Sequence, residues 1–310
     1  MKISFNRPKA STAYGGGAHF VTNFSNYLEK VGHSVCHKLE PGIDLIFMID
    51  PRPNEAGYSI QEIFNYKHQF PKTKMLHRVN ECDKRKNTNF MDQTVMLSNQ
   101  LADHTIFISK WLSDYFIQKG FNKSYATIVN GCDTSHFYPA DRLFNPTRPK
   151  IVTHHWSDNW MKGFDIYTKI DEYLQENDRF DFTYIGRYFQ GYSPKKTNII
   201  PPLYGHDLGN ELRNHDIYVT ASRWEPCGMH HIEGASCGLP VLYHADGGGI
   251  NETCVNHGYQ FRSFAEFLKY LDLTTSNLDG LKDKINYEQL SSKICSDNYY
   301  KEIVGMFSEK

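Results

Sequence analysis

Glu225 and Glu233 stand with seven residues between them in the stretch Ser222-Arg223-Trp224-Glu225-Pro226-Cys227-Gly228-Met229-His230-His231-Ile232-Glu233-Gly234-Ala235-Ser236-Cys237-Gly238-Leu239-Pro240-Val241. Proline early and glycine late punctuate a helix, so the spacing puts Glu225 in the entering loop and Glu233 about one turn inside. Helical side chains lean toward the N-terminus, which lets Glu233 reach the crevice that holds Glu225. The backbone N–H groups of Gly228, Met229 and His230 open toward that crevice at the positive end of the helix, where an anion gains ~0.3–1 kcal/mol. Donors for an anion beside two carboxylates that accept from hydroxyls suit a sugar joined to a phosphate. Standing alone, the two glutamates read equally well as helix-start charges that complement the dipole.

Other residues carry chemistry with less force. Lys162-Gly163 precedes a helix, and Lys162 by itself is an ordinary surface lysine. Gly15-Gly16-Gly17 falls between the first strand and the first amphipathic helix, where three glycines permit a tight wrap or merely a flexible turn. The order is not GxGxxG and no acidic residue ends the second strand, which argues against a dinucleotide fingerprint. His77-Arg78-Val79-Asn80 closes a buried strand, and each of His77, Arg78 and Asn80 reads either as a ligand contact or as a tie to a neighbouring loop. The pairs His154-His155 and His230-His231 lack the i, i+4 spacing of a helical metal site.

These residues must be positioned by parallel βαβ units. Short β-branched or aromatic runs alternate with segments of helical period. Strands are predicted at 3–6, 34–39, 44–50, 74–79, 104–109 and 125–130, with helices at 18–31, 60–66, 90–102 and 110–119. The alternation restarts with strands at 150–154, 180–186, 198–200, 216–220 and 239–243 and helices at 164–175, 207–213 and 229–237. Helical segments at 264–271 and 287–306 close the chain. A first domain over residues 1–144, a proline-bearing linker at 145–149, a second domain over 150–280 and a final helix within 281–310 that crosses back to the first domain are expected. The fold class is α/β, two doubly wound, Rossmann-like domains facing across a cleft, with ligands beyond the carboxyl ends of the strands.

Composition narrows the function. Over 310 residues, 34 Lys+Arg against 35 Asp+Glu leave a net charge of −1, which argues against nucleic acid as partner. Resolved at the linker, residues 1–149 hold 18 basic and 13 acidic residues, or +5, and residues 150–310 hold 16 and 22, or −6. The positive half reads as a solvated face, or as one that meets an anionic acceptor or a membrane surface. No run approaches the ~20 apolar residues of a transmembrane helix, and no leader is evident, so a cytoplasmic protein, at most peripheral to a membrane, is expected. Seven cysteines without a CxxC pair are expected to be reduced thiols, Cys227 among them.

Glu225 and Glu233, followed by Gly238-Leu239-Pro240-Val241 and Gly247-Gly248-Gly249-Ile250-Asn251-Glu252, resemble the E-x7-E signature of retaining GT-B glycosyltransferases of family 4. Tyr14-Gly15-Gly16-Gly17 resembles that family's first glycine loop, Lys162-Gly163 its lysine-glycine pair, and Phe107 through Pro139 its passage toward the linker. The resemblance implies that Glu225 contacts the donor sugar near the reacting carbon and that Glu233 binds the ribose. It implies that Lys162 pairs with the leaving diphosphate, that Gly16 and Gly17 approach the donor phosphates, and that Gly228, Met229 and His230 hold sugar and phosphate. Tyr204 and Gly205 fall where the family binds the nucleobase, and His77, Arg78 and Asn80 on the acceptor or sugar side. The family's usual arginine before the lysine is missing here; His154, His155 or Arg187 is the expected replacement.

The function implied is transfer of a sugar, with retention, from a nucleotide-diphospho sugar to a hydroxyl of a glycan, a lipid-linked or another glycoconjugate acceptor. No cofactor is expected, and no metal, because no two aspartates stand two apart as in the DxD motif of the other large glycosyltransferase fold. An epimerase or phosphorylase on the same scaffold, or a non-catalytic sugar-nucleotide binding module, are the alternative readings. A nicotinamide-dependent oxidoreductase ranks below them for want of the glycine fingerprint.

Overall fold

The structure, a computed structural model, describes residues 1–9, 16–52, 57–141 and 143–308; Tyr14 and Gly15 of the glycine loop lie outside these. The chain divides into two compact units, Met1–Asn130 together with Lys293–Lys310, and Gly131–Ser292.

In the first unit, β1 (Lys2–Phe5), β2 (Ser34–Cys36), β3 (Leu45–Met48), β4 (Lys74–Val79), β5 (His104–Phe107) and β6 (Tyr125–Thr127) form one parallel sheet in the order β2-β1-β3-β4-β5-β6. Parallel strands covered on both faces need side chains that tolerate burial on either side. Strand β3, Leu-Ile-Phe-Met, meets that demand with all four residues buried. Phe20, Val21, Phe24 and Leu28 give the Gly16–Lys30 helix one apolar face, and it packs on the sheet through Phe5, Leu45 and Phe47.

That apolar face also explains a departure from expectation. Gly16 and Gly17 are not loop residues; they open the helix, whose packing draws the chain into helical geometry from Gly16 onward. The basic run Asp83–Lys86, part of the first half's positive excess, is a single helical turn in which Arg85 and Lys86 reach the Glu81 carboxylate.

The helix Ser292–Ser308 completes this unit. Its Tyr299 is wholly buried, its ring 4.8 Å from that of Phe20 and 5.5 Å from that of Phe24 between centroids. The Tyr299 hydroxyl accepts from Arg78 Nε–H at 3.1 Å.

The second unit holds β7 (Lys150–His155), β8 (Asp181–Gly186), β9 (Asn198–Ile200), β10 (Ile217–Thr220), β11 (Val241–His244) and β12 (Gly258–Phe261), again all parallel, in the order β12-β11-β10-β7-β8-β9. This is the strand order of a dinucleotide-type sheet, with its reversal between β7 and β10. Strand β12 and the short helices Ile250–Cys254 and Leu278–Lys282 go beyond the elements expected from periodicity, because four or five residues show too little of a period to be recognised.

The division of the chain at Asn130/Gly131 and Ser292/Lys293 differs from the 145–149 boundary drawn on prolines. Residues 131–139 pack on the second unit: Phe137 is buried, the Arg213 guanidinium lies 3.9 Å from the Tyr138 ring centroid, and Arg213 Nη1 donates to His136 O at 2.8 Å. Among the described residues, no helix is long and apolar enough to cross a membrane.

Replacing Tyr299 with Ala empties a fully buried aromatic site and removes a partner of the buried Arg78, so it should cost about 3–5 kcal/mol. Urea titration monitored by circular dichroism measures this; a loss below about 1 kcal/mol would show that the terminal helix contributes little to the first unit.

Candidate functional site

A sheet reversal leaves a crevice, because the helices leaving the two strands go to opposite faces. In the second unit the strands that flank the reversal are β7 and β10, and the residues that follow them are the ones with chemistry. After β7 the chain runs through a single 3-10 turn, Trp160–Lys162, capped by Asn159, whose Oδ1 accepts from Met161 N–H at 2.8 Å. Gly163 then has φ +96°, and a Cβ there would stand 2.4 Å from Ala221 O, so only glycine lets this turn lie against the end of β10. Arg223 locks the two segments together: its N–H donates to Met161 O at 2.9 Å and its guanidinium makes two bonds, 3.0 and 2.6 Å, to Asp165.

This clamp brings Lys162 to Glu225 across sixty-three positions of sequence; Nζ bonds Oε2, with both residues buried. Charges so removed from water are tolerated because each answers the other. Glu225 is held from its backbone as well, donating to Gly247 O at 3.2 Å and accepting from Gly249 N–H at 2.9 Å. Trp224 before it adopts φ +54°, a conformation that non-glycine residues rarely take and that here turns Glu225 toward Lys162.

The helix Met229–Ser236 starts at Gly228, which supplies no side-chain cap, so the first-turn N–H groups remain available to a ligand or water. Glu233 accepts from His154 Nε2–H at 2.7 Å. The expected replacements for the missing arginine therefore separate. His154 sits at the end of β7 against Glu233, while His155 is wholly buried with its Nε2 2.9 Å from the Tyr167 hydroxyl. Arg187 is exposed and lies 4.0 Å from the Trp156 ring centroid. His230 is buried with Nε2 2.9 Å from Thr220 Oγ1, and its ring packs against Gly228, where a Cβ would stand 2.5 Å from His230 Cε1. Tyr204 is exposed and caps the helix that begins at Gly205.

The first unit holds the remaining candidates. His77 and Arg78 are core groups: His77 Nδ1 pairs with Asn99 Nδ2 at 3.0 Å, and Arg78 donates to Asn130 Oδ1 at 2.7 Å and stacks 4.1 Å over Phe20. Asn80, half-buried, stands beside Gly17, where a Cβ would be 3.5 Å from its Nδ2. Sequence reading missed Tyr218, Thr220, Trp224 and the Arg223–Asp165 pair; a tyrosine or threonine inside an apolar strand carries no signal that distinguishes it from core.

Burial holds at least five histidines neutral, among them His257, pushed down to about 4. It pushes His77 and His231 down to about 3, and His155 and His230 well below the ordinary 6.5. Above the unfolded value of 6.5 both states are neutral; below it only the unfolded chain takes up protons. Stability should fall as pH drops from 6.5 toward 3, by up to about 1.4 kcal/mol per pH unit for each such histidine. Melting temperature against pH tests this, and a flat profile between pH 6.5 and 5 would contradict it. Gly163→Ala should destabilise by about 1–3 kcal/mol in thermal unfolding, and unchanged stability would mean that the Ala221 contact yields freely.

Residues 192–266 match the family model described as glycosyl transferases group 1. No curated protein matches the chain by sequence. Among solved structures it is similar to sucrose-phosphate synthase from Thermosynechococcus elongatus, at 13% identity and TM-score 0.72 over 99% of both chains. It is similar to Anabaena HepE in complex with UDP and glucose, at 14% identity and TM-score 0.73 over 98% of this chain and 100% of that one. WaaG, a glycosyltransferase involved in lipopolysaccharide biosynthesis, aligns at 11% identity and TM-score 0.63 over 95% and 98%. The chain thus combines a segment that matches the glycosyl transferases group 1 model, which contains Glu225 and Glu233, with a two-sheet fold similar to that of GT-B glycosyltransferases, the resemblance expected from its sequence.

Proposed function

We propose that this protein transfers a sugar from a nucleotide-diphospho sugar to an acceptor hydroxyl with retention at the anomeric carbon. The observation that carries the reading is the pairing of Lys162 with Glu225, and of His154 with Glu233, at the switch point of the second sheet. A buried ammonium suits the diphosphate, on which negative charge grows as the glycosidic bond breaks. Glu225 offers a carboxylate to the sugar, whose reacting carbon becomes positive in the same step. The N–H groups after Gly228 add donors for phosphate or sugar hydroxyls. In this reading the leaving phosphate takes the acceptor proton on the face it departs from, and positioning with electrostatics supplies most of the acceleration.

Lys162 and the helix entrance supply the positive charge, so the reaction is proposed to run without a metal ion. A uridine diphospho sugar is the first donor to test, since HepE is known in complexes with UDP and with UDP-glucose. The acceptor is proposed to be a glycan or glycoconjugate, and the protein to act in the cytoplasm or at a membrane surface.

The test is nucleotide release and product structure after incubation with nucleotide sugars and an acceptor panel, with and without a chelator. Glu225→Gln should lower turnover about 10²–10³-fold while nucleotide affinity changes less than about threefold. Near-normal turnover in Glu225→Gln would remove that residue from the chemistry. Sugar change without acceptor would signify an epimerase, phosphate consumption a phosphorylase, and binding without turnover a sugar-nucleotide binding module. Loss of activity with chelator would overturn the metal-free proposal.

A further inference from the structure

His154 enters the sequence reading as a stand-in for a missing positive group that would touch the donor. Its surroundings describe a different task. The Tyr218 hydroxyl accepts from the His154 backbone N–H at 3.1 Å and lies 3.1 Å from His154 Nδ1. The hydroxyl hydrogen has two acceptors within reach, Nδ1 at 3.1 Å and His154 O at 3.4 Å, and Nδ1 is the nearer. Nε2 carries a proton, because it faces a group that can only accept, the Glu233 Oε2 at 2.7 Å.

The three groups come from three elements fixed independently. Tyr218 is wholly buried on the central strand β10, His154 is 7% exposed on β7, and Glu233 rides the helix that follows. Gly234 makes the chain of bonds possible: a Cβ there would stand 2.3 Å from the Tyr218 ring, so a side chain would push the helix, and Glu233 with it, away from the sheet. Glu233 Oε2 is thereby committed. Among the described residues Oε1 accepts no hydrogen bond, and the side chain retains 14% of its exposure.

We infer that His154 is a positioning residue, which with Tyr218 behind it aims the second oxygen of Glu233 at a vicinal diol of the ligand. This rests on the reading of the site as one for a nucleotide sugar, in which the diol is that of the ribose. The prediction is one of discrimination rather than of affinity alone, because a carboxylate held in place by two successive bonds rewards hydroxyls that a freely rotating one would bind loosely.

The experiment compares binding of UDP, or of ADP or GDP where one of these binds more tightly, with its 2′,3′-dideoxy counterpart by titration calorimetry. The wild-type chain should prefer the ribonucleotide by at least about tenfold. His154→Phe, which keeps the ring and loses both bonds, should weaken the ribonucleotide by about tenfold and leave the dideoxy form within about twofold. His154→Gln, whose amide places an N–H near the same position, should restore part of the preference. Tyr218→Phe should lower it less than His154→Phe. Equal weakening of both ligands in His154→Phe would make the role merely structural and overturn the inference, as would a wild-type preference preserved in that variant. Nucleotide binding without any ribose discrimination in the wild type would overturn it while leaving the proposed function standing. No binding of any nucleotide would overturn both.

Discussion

A buried ammonium and a buried carboxylate cannot be separated without leaving one charge stranded in a medium that solvates it poorly. The Lys162–Glu225 pair sets this constraint on the second unit, and much of the unit's local architecture satisfies it. Gly163 folds back on Ala221 so that the lysine turn can lie against β10. Arg223 ties that turn to the opposite loop. Trp224 accepts an unusual backbone conformation, and the Gly247–Gly249 run grips the Glu225 main chain. In the proposed reaction the same two groups would answer a ligand that carries the complementary charges in one molecule, anionic at the diphosphate and increasingly cationic at the sugar.

The histidines at the same strand ends follow a different logic. Four aromatic nitrogen heterocycles near one crevice suggest titration or metal binding, yet burial keeps His155, His230 and His231 neutral and each finds a hydroxyl partner in Tyr167, Thr220 or Thr253. Hydroxyls match a neutral imidazole because they donate or accept as required, so the site's polar packing needs no net charge. His154 differs in facing a carboxylate, and that difference sets its task apart from the other three.

The first unit shows how a residue type can mislead. Arg78 invites a functional assignment as a basic residue at a strand end, and it is instead 1% exposed, bonded to Asn130 and Tyr299 and stacked on Phe20. A guanidinium held by neutral oxygens and an aromatic face serves here to join β4, the end of the sheet and the terminal helix.

The amino-acid sequence by itself determined the alternation of strands and helices, the parallel character of both sheets and the local pattern from Glu225 to Glu233. Each of these rests on neighbours along the chain: apolar runs of strand length, a 3.6-residue period, proline and glycine at helix ends. Short elements such as β12, and the helical start at Gly16, were not legible, since their geometry comes from packing against other elements. The unit boundary at Asn130/Gly131 escaped because prolines mark irregular backbone, while domain membership depends on which surface that backbone covers. Only the tertiary structure decided which charged and polar residues meet. Lys162 finds Glu225 and His154 finds Glu233 through the reversal of strand order between β7 and β10, a property of sheet topology that no local spacing encodes.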